Sequence, residues 1–322
     1  MKKVALVGIG GMGGGHFSCY GSIENAEVIA VADVRTEMAK EKVNNDNIHI
    51  YGSLDELLEN ETPDIIDICT PSYMHRDMSI KCLEKGFHVL CEKPMSLNSE
   101  DTAAIIAAAE KSGKLFMTAH VVRFMTPYMY LKKVIDSKEL GELLRLDMKR
   151  ISEVPLWNWE SWMMDLDKSG GTPMDLSIHD IDFIQYVLGE PKAVSGVYYK
   201  LKNNNDFIES QLVYDNCIVS AEAGWYNYKL PFNASFNAIF ENGQLELKDG
   251  KVYKNSEEIQ LETGEISDNT GINISGTDGY GAEIRYFIRC VENGTKPELV
   301  TPESSQNSIR LVERIKKNCI II

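Results

Sequence analysis

Three glycines near the N-terminus have the spacing of a loop that binds a dinucleotide. Gly8, Gly10 and Gly13 form G-x-G-x-x-G after an apolar run and before a plausible helix, where backbone N–H groups can approach a pyrophosphate. Asp33 ends the second apolar run, and a carboxylate at that place accepts hydrogen bonds from the adenosine ribose. The pattern predicts dinucleotide binding, since a turn that only packs helix on strand leaves Asp33 unexplained.

The charge at this position favours NAD. A 2′-phosphate would be repelled by Asp33, although Arg35 stands two residues later and its guanidinium can pair with a phosphate. NADP therefore stays open as a second cofactor.

Two short polar segments follow later strands of the same predicted sheet. Thr70-Pro71-Ser72 and Glu92-Lys93-Pro94 each come directly after an apolar run, and ligands of open α/β sheets bind at the carboxyl ends of the strands. We expect both segments to face a nicotinamide ring. A lysine just past a strand is also a common surface residue, so a catalytic role for it depends on the second half of the chain.

A polar stripe marks a helix in that second half. Asp175, His179 and Asp182 recur at i, i+4 and i+7, on one face of a helix predicted to have Thr172 as its cap and Pro173 as its first residue. Acid–base chemistry would explain the stripe. A capping box between Thr172 and Asp175, and a hydrogen-bonded core histidine, explain it structurally.

Three tryptophans, Trp157, Trp159 and Trp162, precede that helix. Aromatic rings can stack on the apolar face of a sugar, and packing between two domains explains them nearly as well.

The secondary-structure pattern divides the chain in two. Residues 1–121 alternate apolar runs with helical patterns, which predicts a Rossmann, doubly wound parallel sheet. Its expected strands are Lys3 to Val7, Val28 to Ala32, Ile65 to Cys69, His88 to Cys91 and Leu115 to Ala119. Residues 122–322 contain a run of strands without intervening helices, from about residue 194 to 247, which predicts a mostly antiparallel sheet.

Composition narrows the class of protein. A net charge of -15 argues against a nucleic-acid or anionic-membrane partner, because both require a basic surface. Seven scattered cysteines without C-x-x-C spacing indicate neither a disulfide framework nor a zinc site, so we expect no metal and a cytoplasmic location. The N-terminal apolar run breaks into glycines, which differs from a signal peptide, and no apolar stretch approaches a membrane span.

Taken together, these residues resemble the glucose-fructose oxidoreductase, inositol dehydrogenase and rhizopine-catabolism family (Gfo/Idh/MocA). The resemblance spans most of the chain: the glycine loop, Asp33, Thr70-Pro71, GFHVLCEKP ending at Pro94, HVVRF at 120–124, residues 162–171, the stripe from Asp175 to Asp182, and the helix after Thr301-Pro302. It implies a Rossmann domain followed by an α/β domain with an open sheet that binds substrate and pairs between subunits in homodimers or homotetramers.

The resemblance also implies roles for individual residues. Lys93, Asp175 and His179 match the family's active-site lysine and acid–histidine pair, and Pro94 matches a position often found as a cis-proline. Ser72 stands where asparagine is commoner. The expected cofactor contacts are Gly8, Gly10, Gly11, Met12, Gly13, Asp33, Arg35, Thr70, Pro71, His75, Glu92, Lys93 and Arg123. The expected substrate contacts are Lys93, Arg123, Trp162, Asp175, His179 and Asp182.

We therefore expect an NAD(P)-dependent dehydrogenase for a secondary hydroxyl of a sugar or cyclic polyol. His179 would be the general base, Asp175 would orient its ring, and Lys93 would stabilise the developing alkoxide. Alternatives are a glycoside hydrolase that retains NAD and acts by transient oxidation and elimination, a dinucleotide-sensing regulator without catalysis, and an NADPH-dependent dihydrodiol- or biliverdin-type reductase, which Asp33 disfavours.

Overall fold

The structure, a computed structural model, describes residues 1–261 and 278–322. It divides into two compact units, of which the first contains residues 1–121 and 278–306 and the second contains residues 122–261 and 307–322. The sequence had assigned residues 278–306 to the second domain. They join the first unit because a helix within them packs on the first helix of the chain and on two strands of the first sheet.

The first unit is a six-stranded parallel sheet with the strand order β3-β2-β1-β4-β5-β6. Its strands are β1 (Lys2–Val7), β2 (Ala26–Ala32), β3 (His49–Tyr51), β4 (Ile65–Ile68), β5 (His88–Glu92) and β6 (Phe116–Ala119). Its helices are α1 (Gly11–Tyr20), α2 (Thr36–Val43), α3 (Leu54–Asn60), α4 (His75–Glu84), α5 (Ser99–Ser112) and, numbered along the whole chain, α10 (Asp278–Asn293). The order reverses between β1 and β4, which is where ligands bind in such sheets.

Burial explains why these segments are strands. Every residue of β4 and β6 is buried, as expected for parallel strands covered by helices on both faces. Side chains cap the start of α3 and of α5: that of Ser53 accepts from the Glu56 N–H, and that of Asn98 accepts from the Asp101 N–H. Ser72 begins a short 3-10 turn, Ser72–Met74, directly before α4.

The second unit is a nine-stranded mixed sheet, ordered β14-β13-β12-β11-β7-β10-β9-β8-β15. Its strands are β7 (Leu143–Glu153), β8 (Ala193–Lys202), β9 (Asn205–Val213), β10 (Ile218–Tyr226), β11 (Asn233–Phe240), β12 (Gly243–Lys248), β13 (Lys251–Lys254), β14 (Glu257–Ile259) and β15 (Cys319–Ile321). Its helices are α6 (Thr126–Ser137), α7 (Leu166–Ser169), α8 (Gly171–Asp175) and α9 (Ser177–Leu188), and α11 (Pro302–Asn318) crosses the boundary between the units.

Most strand pairs of the second sheet are antiparallel, and β7–β10 and β8–β15 are the parallel ones in the part of the chain described. The predicted fold class is therefore confirmed. Within the same ranges, no helix combines the length and apolar character needed to cross a membrane.

Candidate active site

The glycine loop that connects β1 to α1 is tightly packed, so that a side chain at Gly13 would collide with the backbone. Gly8 has φ +86°, and a Cβ added to Gly13 would lie 1.8 Å from the Gly8 carbonyl oxygen. Gly11 and Met12, in the first turn of α1, are exposed. In the described chain no side chain caps α1, and its first turn has no acidic residue. An uncapped helix N-terminus behind a glycine turn fits a pyrophosphate.

Asp33 supports this loop from the end of β2. Its Oδ2 accepts the Ile9 N–H at 3.0 Å, and its Oδ1 accepts the Arg35 N–H at 2.9 Å. The Arg35 guanidinium also donates to both carboxylate oxygens, at 3.2 and 3.3 Å. The structure thus brings the predicted acid and the predicted arginine together as an ion pair beside the loop, with the carboxylate buried.

Lys42 contacts the glycine loop, which the sequence does not predict. From α2 its Nζ donates to the carbonyls of Ile9 and Gly10, at 2.9 and 2.8 Å. Together with Arg35, it places a second cation against the glycine loop. A lysine on a short amphipathic helix carries no signal in the sequence that distinguishes it from an ordinary surface residue.

The turns after β4 and β5 are joined by one histidine. His75 was expected to contact the cofactor, but its ring is fully buried, with Nδ1 2.7 Å from the Pro94 carbonyl and Nε2 2.9 Å from the Thr70 carbonyl. Burial lowers the pKa of His75, an effect that these two carbonyls oppose. In this structure the ring ties the two turns together beneath the surface, while Thr70 and Pro71 remain partly exposed.

Lys93 follows β5 and is partly exposed, and its peptide bond to Pro94 is cis, as the resemblance implies. Glu92, also expected as a cofactor contact, is buried. One of its oxygens, Oε2, accepts the Lys93 N–H at 3.0 Å, and the other lies 3.1 Å from His16 Nε2. The structure therefore places Glu92 behind the lysine rather than open to a ligand.

In the second unit the polar stripe is divided between two helices. Asp175 ends α8, while His179 and Asp182 lie on α9, and Leu176 interrupts the helix between them. The predicted cap at Thr172 is wrong: Thr172 lies within α8, its N–H donates to the Asp206 carboxylate at 2.7 Å, and its hydroxyl has no partner among the described residues. A capping box therefore does not explain Asp175.

Asp182 and Arg123 were expected to contact substrate or cofactor, and the structure pairs them with each other. The guanidinium donates to both carboxylate oxygens, at 2.8 and 2.6 Å, and both side chains are almost fully buried. The Ser308 hydroxyl donates to the same carboxylate at 2.8 Å, and the Tyr186 ring lies 4.6 Å from the guanidinium carbon. This bidentate, buried pair gives Asp182 a structural role on α9.

Trp162 lies in a 3-10 segment, Trp159–Met164, and is partly exposed, as is Trp159, while Trp157 is largely exposed. Glu160 and Ser161 have positive φ inside this segment. At least one of the three indole rings is thus available to a ligand or a partner.

The predicted catalytic residues belong to different units. Lys93 lies in the first unit, and Asp175 and His179 lie in the second. Asp175 is buried next to the helix break, whereas His179 is partly exposed.

Comparison with known proteins identifies the chain. The model of an oxidoreductase family with an NAD-binding Rossmann fold matches residues 2–120, and the model of the same family's C-terminal α/β domain matches residues 132–319. The chain belongs to the Gfo/Idh/MocA oxidoreductase family. The resemblance seen in the sequence is confirmed, and the first unit of this Gfo/Idh/MocA protein is an NAD-binding domain.

Curated relatives of this Gfo/Idh/MocA protein act on sugars and inositol. It is 30% identical over 197 residues to the 2,7-anhydro-N-acetylneuraminate hydratase of Escherichia coli (strain K12), covering 61% of this chain and 52% of the relative. It is 27% identical to the glucose-6-phosphate 3-dehydrogenase of Bacillus subtilis (strain 168), covering 63% and 59%, and 28% identical to the myo-inositol 2-dehydrogenase of Thermotoga maritima, covering 58% and 55%. The matched segment thus spans little more than half of each relative.

Solved structures share the fold along the whole chain. An oxidoreductase from Thermotoga maritima superposes with a TM-score of 0.84 at 21% identity, covering 98% of this chain and 96% of its own. The WlbA dehydrogenase from Bordetella pertussis, solved with NADH and UDP-GlcNAcA, superposes with a TM-score of 0.82 at 18% identity, covering 98% and 95%.

Proposed function

We propose that this protein is an NAD-dependent dehydrogenase that acts on a secondary hydroxyl of a sugar or cyclic polyol. The observation that carries the proposal is Lys93, partly exposed at the carboxyl end of β5 in a domain of the NAD-binding Rossmann family. Ligands of such sheets bind at that edge. The relatives named for glucose 6-phosphate and inositol support the substrate class.

The glycine loop and the residues around it would hold the cofactor. The N–H groups at the start of α1 would bind the pyrophosphate, and Asp33, which supports the loop, would accept hydrogen bonds from the ribose. NAD, when bound, takes up or supplies the hydride. Arg35 partly neutralises Asp33, so binding of NADP with lower affinity is part of the proposal.

The chain's own residues then handle the proton and the developing charge. His179 takes the hydroxyl proton, since histidine is the side chain best suited to accept a proton near neutral pH. Asp175 orients that imidazole and stabilises its protonated form. The Lys93 ammonium donates a hydrogen bond to the oxygen as it becomes an alkoxide. Bringing these three groups, which belong to two units, to one hydroxyl is itself part of the proposal.

The test is a substrate screen with matched variants. Purified protein is incubated with NAD or NADP and a panel of inositols, hexoses and sugar acids, and absorbance is followed at the reduced-nicotinamide band. We expect turnover of at least one cyclic polyol or sugar, and a loss of about a hundredfold or more in His179→Ala with NAD affinity retained. Full activity of His179→Ala would reject its role, and NAD binding without turnover on the panel would reject the substrate class.

A second candidate is supported by the hydratase relative. Addition of water to a sugar derivative is no net oxidation, so the protein would retain its NAD and use it only transiently. Product formation from a glycoside or anhydrosugar, without accumulation of free NADH, would distinguish this reaction from the dehydrogenase.

We also propose that the protein is a cytoplasmic homodimer or homotetramer that pairs through the sheet of the second unit. Apolar side chains on its strands are exposed, among them Leu144, Val213 and Ile218. All seven cysteines lie in the described ranges and are free, which suits a reducing compartment. Light scattering on the wild type and Ile218→Asp tests the assembly, since a monomeric wild type would refute it.

A further inference from the structure

A buried polar cluster lies behind Lys93, and none of its members belongs to the proposed catalytic set. His16 on α1 is fully buried, and each of its ring nitrogens meets a carboxylate: Nδ1 is 2.9 Å from Asp67 Oδ2, and Nε2 is 3.1 Å from Glu92 Oε1. The Tyr20 hydroxyl donates to the same Asp67 oxygen at 2.9 Å. The side chains that meet here come from α1, β4 and β5.

The geometry of this cluster favours one protonation state. Carboxylate oxygens accept hydrogen bonds, and only the imidazolium form of histidine donates from both ring nitrogens. Burial by itself would lower the pKa of His16, but the charge of Asp67 and the hydrogen bond to it raise that pKa well above its ordinary value. Burial likewise works to raise the pKa of Glu92, and the hydrogen bond and charge of His16 lower it. The core of the cluster is one cation between two anions.

The other described neighbours of His16 are compatible with a charged ring, and Cys69 also acts to raise the pKa of His16. Burial raises the pKa of the Cys69 thiol, whose sulfur lies 3.5 Å from His16 Nδ1, so it stays neutral. The Tyr280 ring of α10 is 6.0 Å away and brings no charge. Glu283, also on α10, is fully buried, and among the described residues neither of its oxygens has a hydrogen-bond partner. Burial and the charge of Glu92 raise the pKa of Glu283 well above its usual range, which keeps it protonated.

We infer that His16, charged and held between two carboxylates, positions Lys93 through Glu92, a role that rests on the function proposed for Lys93 above. One Glu92 oxygen is bound by His16 and the other accepts the Lys93 N–H. The imidazolium therefore fixes the Glu92 side chain, and Glu92 fixes the backbone from which the Lys93 amine extends. A small displacement of such an amine costs a large factor in rate, because the ammonium must meet the developing alkoxide within hydrogen-bond distance.

The first test measures the protonation state of the His16 ring and requires no assay of activity. Ring ¹⁵N spectra of the histidine-labelled, full-length protein, assigned with His16→Gln, are recorded from about pH 6 to about pH 8. We expect both nitrogens of His16 to remain protonated across this range. A neutral ring near pH 7 would overturn the inference, because a neutral ring cannot donate to both carboxylates.

The second test asks whether His16 acts through the lysine. His16→Gln should lower kcat about tenfold or more in the wild type, but by less than about twofold in a Lys93→Met background, because the positioned group is then already absent. His16→Asn provides a second variant if His16→Gln fails to fold, and an NAD affinity within about twofold of the wild type shows that the loop is intact. Glu283→Gln is the matched control, since it replaces an already uncharged acid of the same cluster with an uncharged isostere.

The outcomes separate the two proposals. If Lys93→Met is slow and His16→Gln lowers kcat by the same factor in the Lys93→Met background as in the wild type, the positioning role is overturned and the proposed function stands. Full activity of Lys93→Met would reject the function proposed for Lys93 and the positioning role with it. Loss of kcat in His16→Gln that disappears in the Lys93→Met background, with Glu283→Gln near wild type, supports the inference.

Discussion

Two glycine-to-alanine substitutions in and after the glycine loop, Gly13→Ala and Gly15→Ala, should have opposite effects on stability. In Gly13→Ala the new Cβ would lie 1.8 Å from the Gly8 carbonyl oxygen, 2.9 Å from its carbon and 3.2 Å from the Cys69 Cβ. The obstacle is backbone, so the start of α1 must move away from the end of β1. Overpacking that shifts backbone costs about 1–3 kcal/mol and sometimes more, and we expect the upper end, about 3 kcal/mol.

Gly15→Ala adds the same methyl group to the same helix. No heavy atom lies within 4 Å of its added Cβ, and alanine is preferred over glycine inside a helix by about 1 kcal/mol. The two variants should therefore differ by about 4 kcal/mol, with the wild type between them.

Urea unfolding and thermal melts of the protein without cofactor measure this difference, and a change of 1 kcal/mol moves Tm by roughly 2–4 °C in a domain of this size. NAD titration is the second readout. Gly13→Ala should bind NAD at least about tenfold more weakly, because displacement of α1 moves the N–H groups that would meet the pyrophosphate. Equal stability of Gly13→Ala and Gly15→Ala would refute the argument from the close approach.

Three further predictions concern charged side chains. Lys42→Met should lower the affinity for NADP about fivefold more than the affinity for NAD, because it removes one of the two cations at the loop. Lys40→Met is the exposed control on the same helix, and equal effects of Lys42→Met on both affinities would contradict this prediction. Asp182→Asn leaves its arginine partner buried and uncompensated and should cost about 3–5 kcal/mol in urea unfolding, whereas Asp136→Asn breaks an exposed helix pair and should cost under about 1 kcal/mol. The pKa of His16 is raised in the folded state, so its contribution to the free energy of unfolding is fully present below the unfolded pKa of about 6.5 and is lost as pH rises through the folded pKa. The wild type should therefore lose stability above neutral pH more steeply than His16→Gln. Parallel profiles of unfolding free energy against pH would contradict this prediction.

The parallel sheet was predictable because its strands are short, apolar and buried on both faces. Runs such as those of β4 and β5 stand out between helical patterns, and the structure has them within one or two residues of the predicted bounds. The strand β3 was missed, since His49–Tyr51 is only three residues long and none of them is buried.

The strand β7 was missed for a different reason. Arg145, Asp147 and Lys149 alternate with Leu146 and Met148, so the inward face is apolar at first. That face then continues with Arg150, which is buried against Asp180 at 2.7 Å. A charged residue on the inward face hides the period of two, and its partner lies thirty positions away in the sequence. Patterns of hydrophobicity do not reveal a buried ion pair.

The same limit applies to the candidate site. The glycines and Asp33 were predictable because their chemistry is encoded in local spacing. Arg123, Asp182 and Glu92 were identified as polar residues of interest, but their partners lie far along the chain, so the sequence suggested exposed contacts where the structure has buried pairs. The start of α8 likewise depends on a distant group, since the Asp206 carboxylate accepts the Thr172 N–H.

A common physical cause accounts for the buried polar residues of the first unit. Where parallel strands end, their loops leave backbone N–H and C=O groups that the sheet no longer pairs, and a buried group without a partner is costly. Asp33 accepts the Ile9 N–H, Glu92 accepts the Lys93 N–H, and His75 meets the carbonyls of Thr70 and Pro94. Two of these four contacts, Asp33 with Ile9 and His75 with Pro94, join positions far apart in the sequence, so the loops after β1 and β5 are held by other parts of the sheet. Such side chains determine where the exposed groups stand, so their substitution should change rate and cofactor preference even in variants that still fold.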